Sequence, residues 1–387
     1  MTAVGLRSIP HRLGNSLVIV VGIAGVTAVL ISVLAMSYGF DRTIRADARS
    51  DRVLVLGQGV DSESNSSLLR EQVAIVASSP GVRKDASGAP VASPEIVLVA
   101  PVARKGSGHD AYVTLRGVGD QVMRLRPEIE IIAGRMFEPG VREIVVGRAA
   151  QKQFAGLDVG APLRLHDGDW KIVGVFAGGD NVRESEVMAD VLTVMSSYKL
   201  DAYNSVTVLL ESAQSYSTFK VALSAHPSMR VDALTEPAYL ERVSRPMHRL
   251  LTVVAVAIGG IMAIGALCGA LNTMYSAVSA RLREIATFHA LGFGAGAIVT
   301  SILIEALLLA MLGAIAGAAI AYAAFDGRTI STLGGTRWDS QLVYSLAVTP
   351  GLLASAAGVA CAIGFVGGLF PALRAVRASV ADALRTI

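Results

Sequence analysis

Four apolar runs dominate this chain, at 17–38, 250–276, 296–325 and 346–370. Each is long enough to cross a bilayer as a helix, which takes about 20 residues. Helix is the conformation open to such a run in lipid, because an open strand would leave its backbone N–H and C=O groups unpaired. Composition agrees: 52% of the 387 residues are hydrophobic and 17% charged, where soluble domains are about a quarter charged. The expected fold class is a membrane protein with four transmembrane α-helices. Arg7 and Arg12 precede the first run as they would in a signal peptide. That run is too long for a signal peptide's apolar core, and no clear A-x-A site closes it, so a retained anchor is expected.

Short-loop arginines set the expected topology. Arg281 and Arg283 lie between the second and third runs, and Arg374, Arg377 and Arg385 follow the fourth. Arg328 and Arg337, between the third and fourth runs, are balanced by Asp326 and Asp339. Segment 1–16, loop 277–295 and tail 371–387 are therefore expected in the cytoplasm, and loop 326–345 outside. The large segment 39–249 becomes an extracytoplasmic α+β domain between helices 1 and 2. Its stretches DRVLVLG, PEIVLVAPVAR, AYVTLRGVG, REIVVGRAA, APLRLHDGDWKIVGVFAG and NSVTVLLES predict strands, with HDGDW as a hairpin turn. SSLLREQVAIVASSPGV and AQSYSTFKVALSAHPS predict helices that stop near Gly or Pro. VDSESNSS reads as an exposed loop, and EPAYLERVSRPMHRL as a helical stalk leading into the second span, kinked at Pro246.

Little in the chain suggests catalysis. The net charge is +3, without the basic run that nucleic acid would need. There is no G-x-x-x-x-G-K-[ST] phosphate loop, no H-E-x-x-H, no G-x-S-x-G and no zinc-spaced Cys/His cluster. Cys268 and Cys361 both sit in apolar runs, so no disulfide framework is expected.

The stretch RLREIATFHALGFGAGAI, Arg281 to Ile298, interrupts the apolar half of the chain. At helical spacing Leu282, Ile285 and Ala286 share one face. Arg283, Glu284 and Thr287 share the other, with Arg281 at its edge. Two readings stand: a basic loop that fixes topology, or a docking helix for a cytoplasmic partner. Glu305 also has two readings, an ion relay or a structural carboxylate bonded across helices. Within the four apolar runs, three G-x-x-x-G spacings, Gly265/Gly269, Gly313/Gly317 and Gly364/Gly368, permit close helix approach.

SARLREIATFHALGFGAGAIVTSILIEALLLAMLGAIAGAAIAY resembles the signature of the MacB/FtsX-type permeases of ABC transporters. Arg281, Arg283, Glu284, Ile285, Ala290, Leu291 and Gly292 fill the family's R-x-R-E-I-x-x-x-x-A-L-G segment. Ile304, Glu305, Ala306, Leu309, Gly313 and Gly317 fill its following span. In the tail, Pro371, Ala372, Arg374, Ala375, Arg377, Ala383, Leu384 and Arg385 match the family ending, with Val380 where proline is usual. GLRSIPHRLGNSLVIVVGIAGV is similar to the family's amphipathic lead-in, and AGRMFEPGVREIVVGRAAQKQF to its outer core domain.

The resemblance implies a permease dimer, of identical or paralogous chains, served by separate ATPase subunits that hold ATP and Mg. This chain itself would bind no cofactor. Arg281, Arg283, Glu284, Ile285, Phe288, His289, Leu291 and Gly292 would form the ATPase-coupling segment. Pro371, Arg374, Arg377 and Arg385 would carry the tail motif. The family implies an inner (plasma) membrane location, membrane lipids around the spans, and in some relatives a periplasmic adaptor and an outer-membrane duct. Export of a lipid, lipoprotein, peptide or drug-like substrate is one expected function. A signal relay that regulates an envelope hydrolase is the other.

Overall fold

The computed structural model describes residues 13–46, 48–106, 110–166, 168–179, 181–226, 229–291, 294–331 and 343–377. The elements begin with α1 (Leu13–Arg45), β1 (Arg52–Gly57), α2 (Arg70–Ser78), β2 (Ala92–Ala103), β3 (Asp110–Val118) and α3 (Val122–Leu125). Then come β4 (Glu130–Gly134), β5 (Glu143–Gly147), α4 (Arg148–Gln153), β6 (Pro162–Leu165), β7 (Gly168–Ala177) and β8 (Glu186–Asp190). α5 (Val191–Tyr198), β9 (Ser205–Leu209), α6 (Ser215–Ser224) and β10 (Val231–Thr235) lead to α7 (Glu236–Ser279) and α8 (Leu282–Ala290). α9 (Ala295–Phe325), β11 (Thr329–Ser331), β12 (Val343–Ser345) and α10 (Pro350–Arg377) complete the chain. Two compact units result. A helical unit comprises residues 1–39, 247–328 and 346–387, and an α+β unit comprises 40–246 with 329–345.

In the helical unit, α1, α7, α9 and α10 are each long and apolar enough to cross a membrane. Ile23 and Val26 of α1, Met274 and Val278 of α7, Ile302 and Leu309 of α9 and Ile363 of α10 share one buried cluster. Apolar lipid tails give these helices no hydrophobic reason to associate, so close contact between small residues matters most. Gly364 and Gly368 of α10 lie against α9. A Cβ on either would come to 2.6 Å from Ala310 Cβ or 2.7 Å from Ala306 Cβ. Gly313 and Gly317 of α9 face α1 instead. A Cβ on Gly313 would sit 2.9 Å from Ile23 Cβ, and one on Gly317 would overlap Thr27 Oγ1 and the Ala24 carbonyl. Gly265 and Gly269 of α7 have no such neighbour within 4 Å. Two of the three spaced glycine pairs are thus used inside the chain.

The α+β unit is built on a mixed sheet in the order β10-β1-β9-β2-β3-β8-β5-β7-β4, with β6 hydrogen-bonded to β7. β2 joins its halves: Ala92–Glu95 pair with β9, and Ile96–Ala103 pair with β3. α2 and α6 cover β1 and β9 through Val76, Phe219 and Leu223. Trp170 and Phe154 fill a second core with Ile96, Leu115 and Val146. α2 stops two residues before Pro80, which disfavours helix in the residue preceding it.

All six predicted strand stretches contain strand, and Leu165 pairs with Gly168 across the expected hairpin. Four features differ from expectation. REIVVGRAA divides into β5 and the start of α4. β4, β8 and β10 carried no sequence signal; β8, Glu-Val-Met-Ala-Asp, is wholly buried between β3 and β5, where neighbours override its weak strand propensity. VDSESNSS is not an exposed loop throughout, because Glu63 and Ser66 are buried. Loop 326–345 contains the antiparallel pair β11–β12.

Candidate coupling site and a buried charge network

α7 ends at Ser279, a turn follows, and α8 runs from Leu282 to Ala290 before α9 begins at Ala295. Ala286 is buried, and Leu282 and Ile285 are half-buried. Ile285 packs on the bundle cluster of α1, α7, α9 and α10. Arg283, Glu284 and Thr287 are exposed on the opposite face, the division that the spacing predicts. Leu291, just past the helix, is 71% exposed. Phe288 and His289 lie within α8, but their side chains fall outside the described residues, as does Gly292.

Arg281 is set apart from the others. It sits in the turn before α8, and its Nη1 donates to Glu305 Oε2 at 3.1 Å. Both side chains are only 16% exposed. Glu305 on α9 therefore has a cross-element partner, and the pair ties the start of α8 to the third span. An acidic group in a span is costly unless it meets such a partner. At the chain's other end, Pro371 is buried within α10, and the Arg374 guanidinium lies 5.6 Å from the Tyr275 ring centroid on α7. That cation–π contact places one tail arginine on the second span. Arg377 is the last residue of α10, and Arg385 lies outside the described residues.

The α+β unit holds a charge network that the sequence reading missed. Arg116 of β3 is 4% exposed. It donates through Nη1 to Glu63 at 3.0 Å and Glu95 at 2.7 Å, and through Nε to Glu186 at 2.7 Å. Nη2 reaches Glu63 at 3.0 Å and Glu186 at 3.1 Å. All five guanidinium N–H groups are thereby used. The Ser205 hydroxyl adds a bond to Glu63 at 2.9 Å. Burial pushes the Glu63 carboxyl up, but the charges of Arg116 and Arg183 outweigh it and hold it down at about 2. Glu186 is lowered by the same balance of burial against Arg116 and Arg183. Burial alone would lower the Arg116 pKa, but Glu186, Glu63 and Glu95 carry it well above its ordinary value. The available signal was an arginine inside TLRGV and a glutamate inside PEIVLV, each within an otherwise apolar strand. Such a network fixes geometry. Among the described residues, no cluster of His, Cys, Asp or Glu is suited to a metal ion.

Comparison with known proteins agrees with this layout. The model of the MacB-like periplasmic core domain matches residues 16–226, and that of the FtsX-like permease C-terminal domain matches 256–380. An ABC transporter permease YknZ of Bacillus subtilis, itself uncharacterised, is 25% identical over 291 residues, 70% of each chain. The macrolide export ATP-binding/permease protein MacB of Chromobacterium violaceum is 31% identical over 148 residues, 38% of this chain and 20% of that protein. The chain thus aligns with about a fifth of that relative's length. Among solved structures, the extracellular domain of YknZ from Gram-positive bacteria matches 47% of this chain and 99% of its own, at 16% identity and a TM-score of 0.37. The periplasmic region of MacB from Actinobacillus actinomycetemcomitans matches 50% and 92%, at 11% identity and a TM-score of 0.37.

Proposed function

The chain belongs to the MacB/FtsX-like family of ABC transporter permeases, and from that premise we propose that it passes motion from an ATPase to the α+β unit. In this reading α8 docks on a separate cytoplasmic ATPase that binds ATP and Mg, while the permease itself performs no catalysis. The observation that carries it is the two-faced α8. Its apolar side is seated on the bundle, its charged side is exposed, and the adjoining turn is tied to the third span by Arg281 and Glu305. A helix held this way cannot shift without moving the spans.

The orientation follows: both termini and α8 in the cytoplasm, the α+β unit outside, and the spans in the inner (plasma) membrane. A second permease, identical or paralogous, would cover part of α7, whose apolar window is only 17% buried. The substrate would be a lipid, lipoprotein, peptide or drug-like molecule, delivered to a periplasmic adaptor and an outer-membrane duct where the cell has one. One observation favours a second reading, regulation of an envelope hydrolase without transport. Glu305 is the sole acidic residue in the four apolar runs, and it is paired with Arg281, so the spans offer no open acidic path.

The test is double charge reversal, Arg283→Glu with Glu284→Arg, followed by affinity purification from native membranes. The co-purifying ATPase should be lost, or its hydrolysis should no longer respond to the permease. An ATPase recovered at wild-type yield with normal hydrolysis would refute the coupling assignment.

A further inference from the structure

The α+β unit contains a second charge network, and it is centred on the first residue of α7. Thr235 ends β10 and Glu236 opens the helix, with no residue between them. Glu236 is 8% exposed. Its Oε1 accepts from Arg126 Nη1 at 2.8 Å, and its Oε2 from Arg52 Nη1 at 3.0 Å. Oε2 also accepts the backbone N–H of Arg49 at 3.2 Å. Arg52 is fully buried on β1 and shares its guanidinium with Glu128, at 2.9 and 3.1 Å. One carboxylate therefore joins four segments: the chain just past α1, strand β1, the turn after α3, and the start of the helix that becomes the second span.

The next turns of α7 continue the same contact. Tyr239 is buried against Leu54 and Leu56 of β1, and its hydroxyl accepts the Glu63 N–H at 3.3 Å. Arg242 donates to Asp61 at 3.2 Å. Positions 236, 239 and 242 follow the helical repeat, so they lie near one another on one face. A carboxylate in the first turn suits the dipole of any helix. The dipole does not require two buried arginines from separate segments and a backbone N–H from a third.

We propose that Glu236 is a positioning residue, the joint at which the exit of the first span and the start of the second-span helix are fastened together to the edge of the sheet. The inference rests on the coupling function proposed above and names the place where motion enters the α+β unit. Without the carboxylate, the segment after α1 and the start of α7 would come loose together.

Hydrogen exchange on the full chain in lipid nanodiscs tests this without any ATPase, so failure here is distinguishable from failure of the coupling assignment. Glu236→Gln keeps the shape and removes the charge. Amides in 48–52 and 236–242 should both exchange about tenfold faster, while β5 and β7 keep wild-type rates. Glu236→Asp retains the carboxylate and should restore most of the protection. Arg126→Gln leaves Arg52 in place and should loosen both segments together to a smaller degree, a check that holds even if Glu236→Gln does not fold. Wild-type rates in both segments of Glu236→Gln would overturn the proposal. So would a rise in one segment alone, a rise spread through β5 and β7, or an Asp variant as exposed as the Gln variant.

Discussion

Glu305 in an apolar helix would cost about 2.5–3.5 kcal/mol to insert as an ion, and Arg281 is the group that offsets this. Unfolding of Arg281→Gln, Glu305→Gln and the double variant in mixed micelles should give a coupling energy between about 0.5 and 3 kcal/mol. A value near zero would mean that the pair is incidental. The sequence pointed to Glu305 because a carboxylate in a span stands out. It did not point to Arg281 as the partner, because positive charge beside a span already has a topological explanation. Glu63 was harder to read: it sits in a serine-rich string that resembles solvated loop, and only the fold brings Arg116 over it. Its pKa is depressed, so its stabilisation is complete above the ordinary carboxylate value of 4.5 and is lost as pH falls through about 2. Glu186 and Glu236 are lowered in the same direction. Near-UV circular dichroism of the full chain should therefore show melting unaffected by these groups above about pH 5 and progressively earlier melting below pH 4.5. Glu63→Gln should make that acid dependence shallower.

At the level of elements, the glycine spacings were legible but their partners were not. Gly317 meets α1 so closely that a methyl group would overlap Thr27 and the Ala24 carbonyl, whereas Gly265 meets nothing. Gly317→Ala should therefore destabilise the bundle by about 1–3 kcal/mol through overpacking, and Gly265→Ala should leave it unchanged or stabilise it by up to about 1 kcal/mol through helix propensity. Unfolding in detergent compares the two, and equal effects would contradict the helix pairing described. Strands with alternating branched residues, such as β1 and β9, were readable by the same kind of local rule. β8 was not, because its burial between β3 and β5 is a property of the sheet order, and sheet order arises from long-range pairing that no local pattern records.

For the whole molecule, the four-helix layout was visible because lipid allows so few backbone solutions. The division of the rest was less visible, since the stalk, the second span and the edge strand β10 form one continuous path. The proposed topology can be checked by impermeant thiol labelling after Cys268 and Cys361 are replaced. Thr287→Cys should label only in opened cells, and Lys105→Cys in intact ones. Labelling of Thr287→Cys in intact cells would invert the orientation and remove the ATPase from reach of α8. The direct step from Thr235 to Glu236 has one further effect. An α-helix advances about 100° per residue, so one residue inserted or deleted there would swing Tyr239 away from Leu54 and Leu56 and Arg242 away from Asp61. Like the start of a screw thread, the junction sets the angular phase of the helix's first turns against β1.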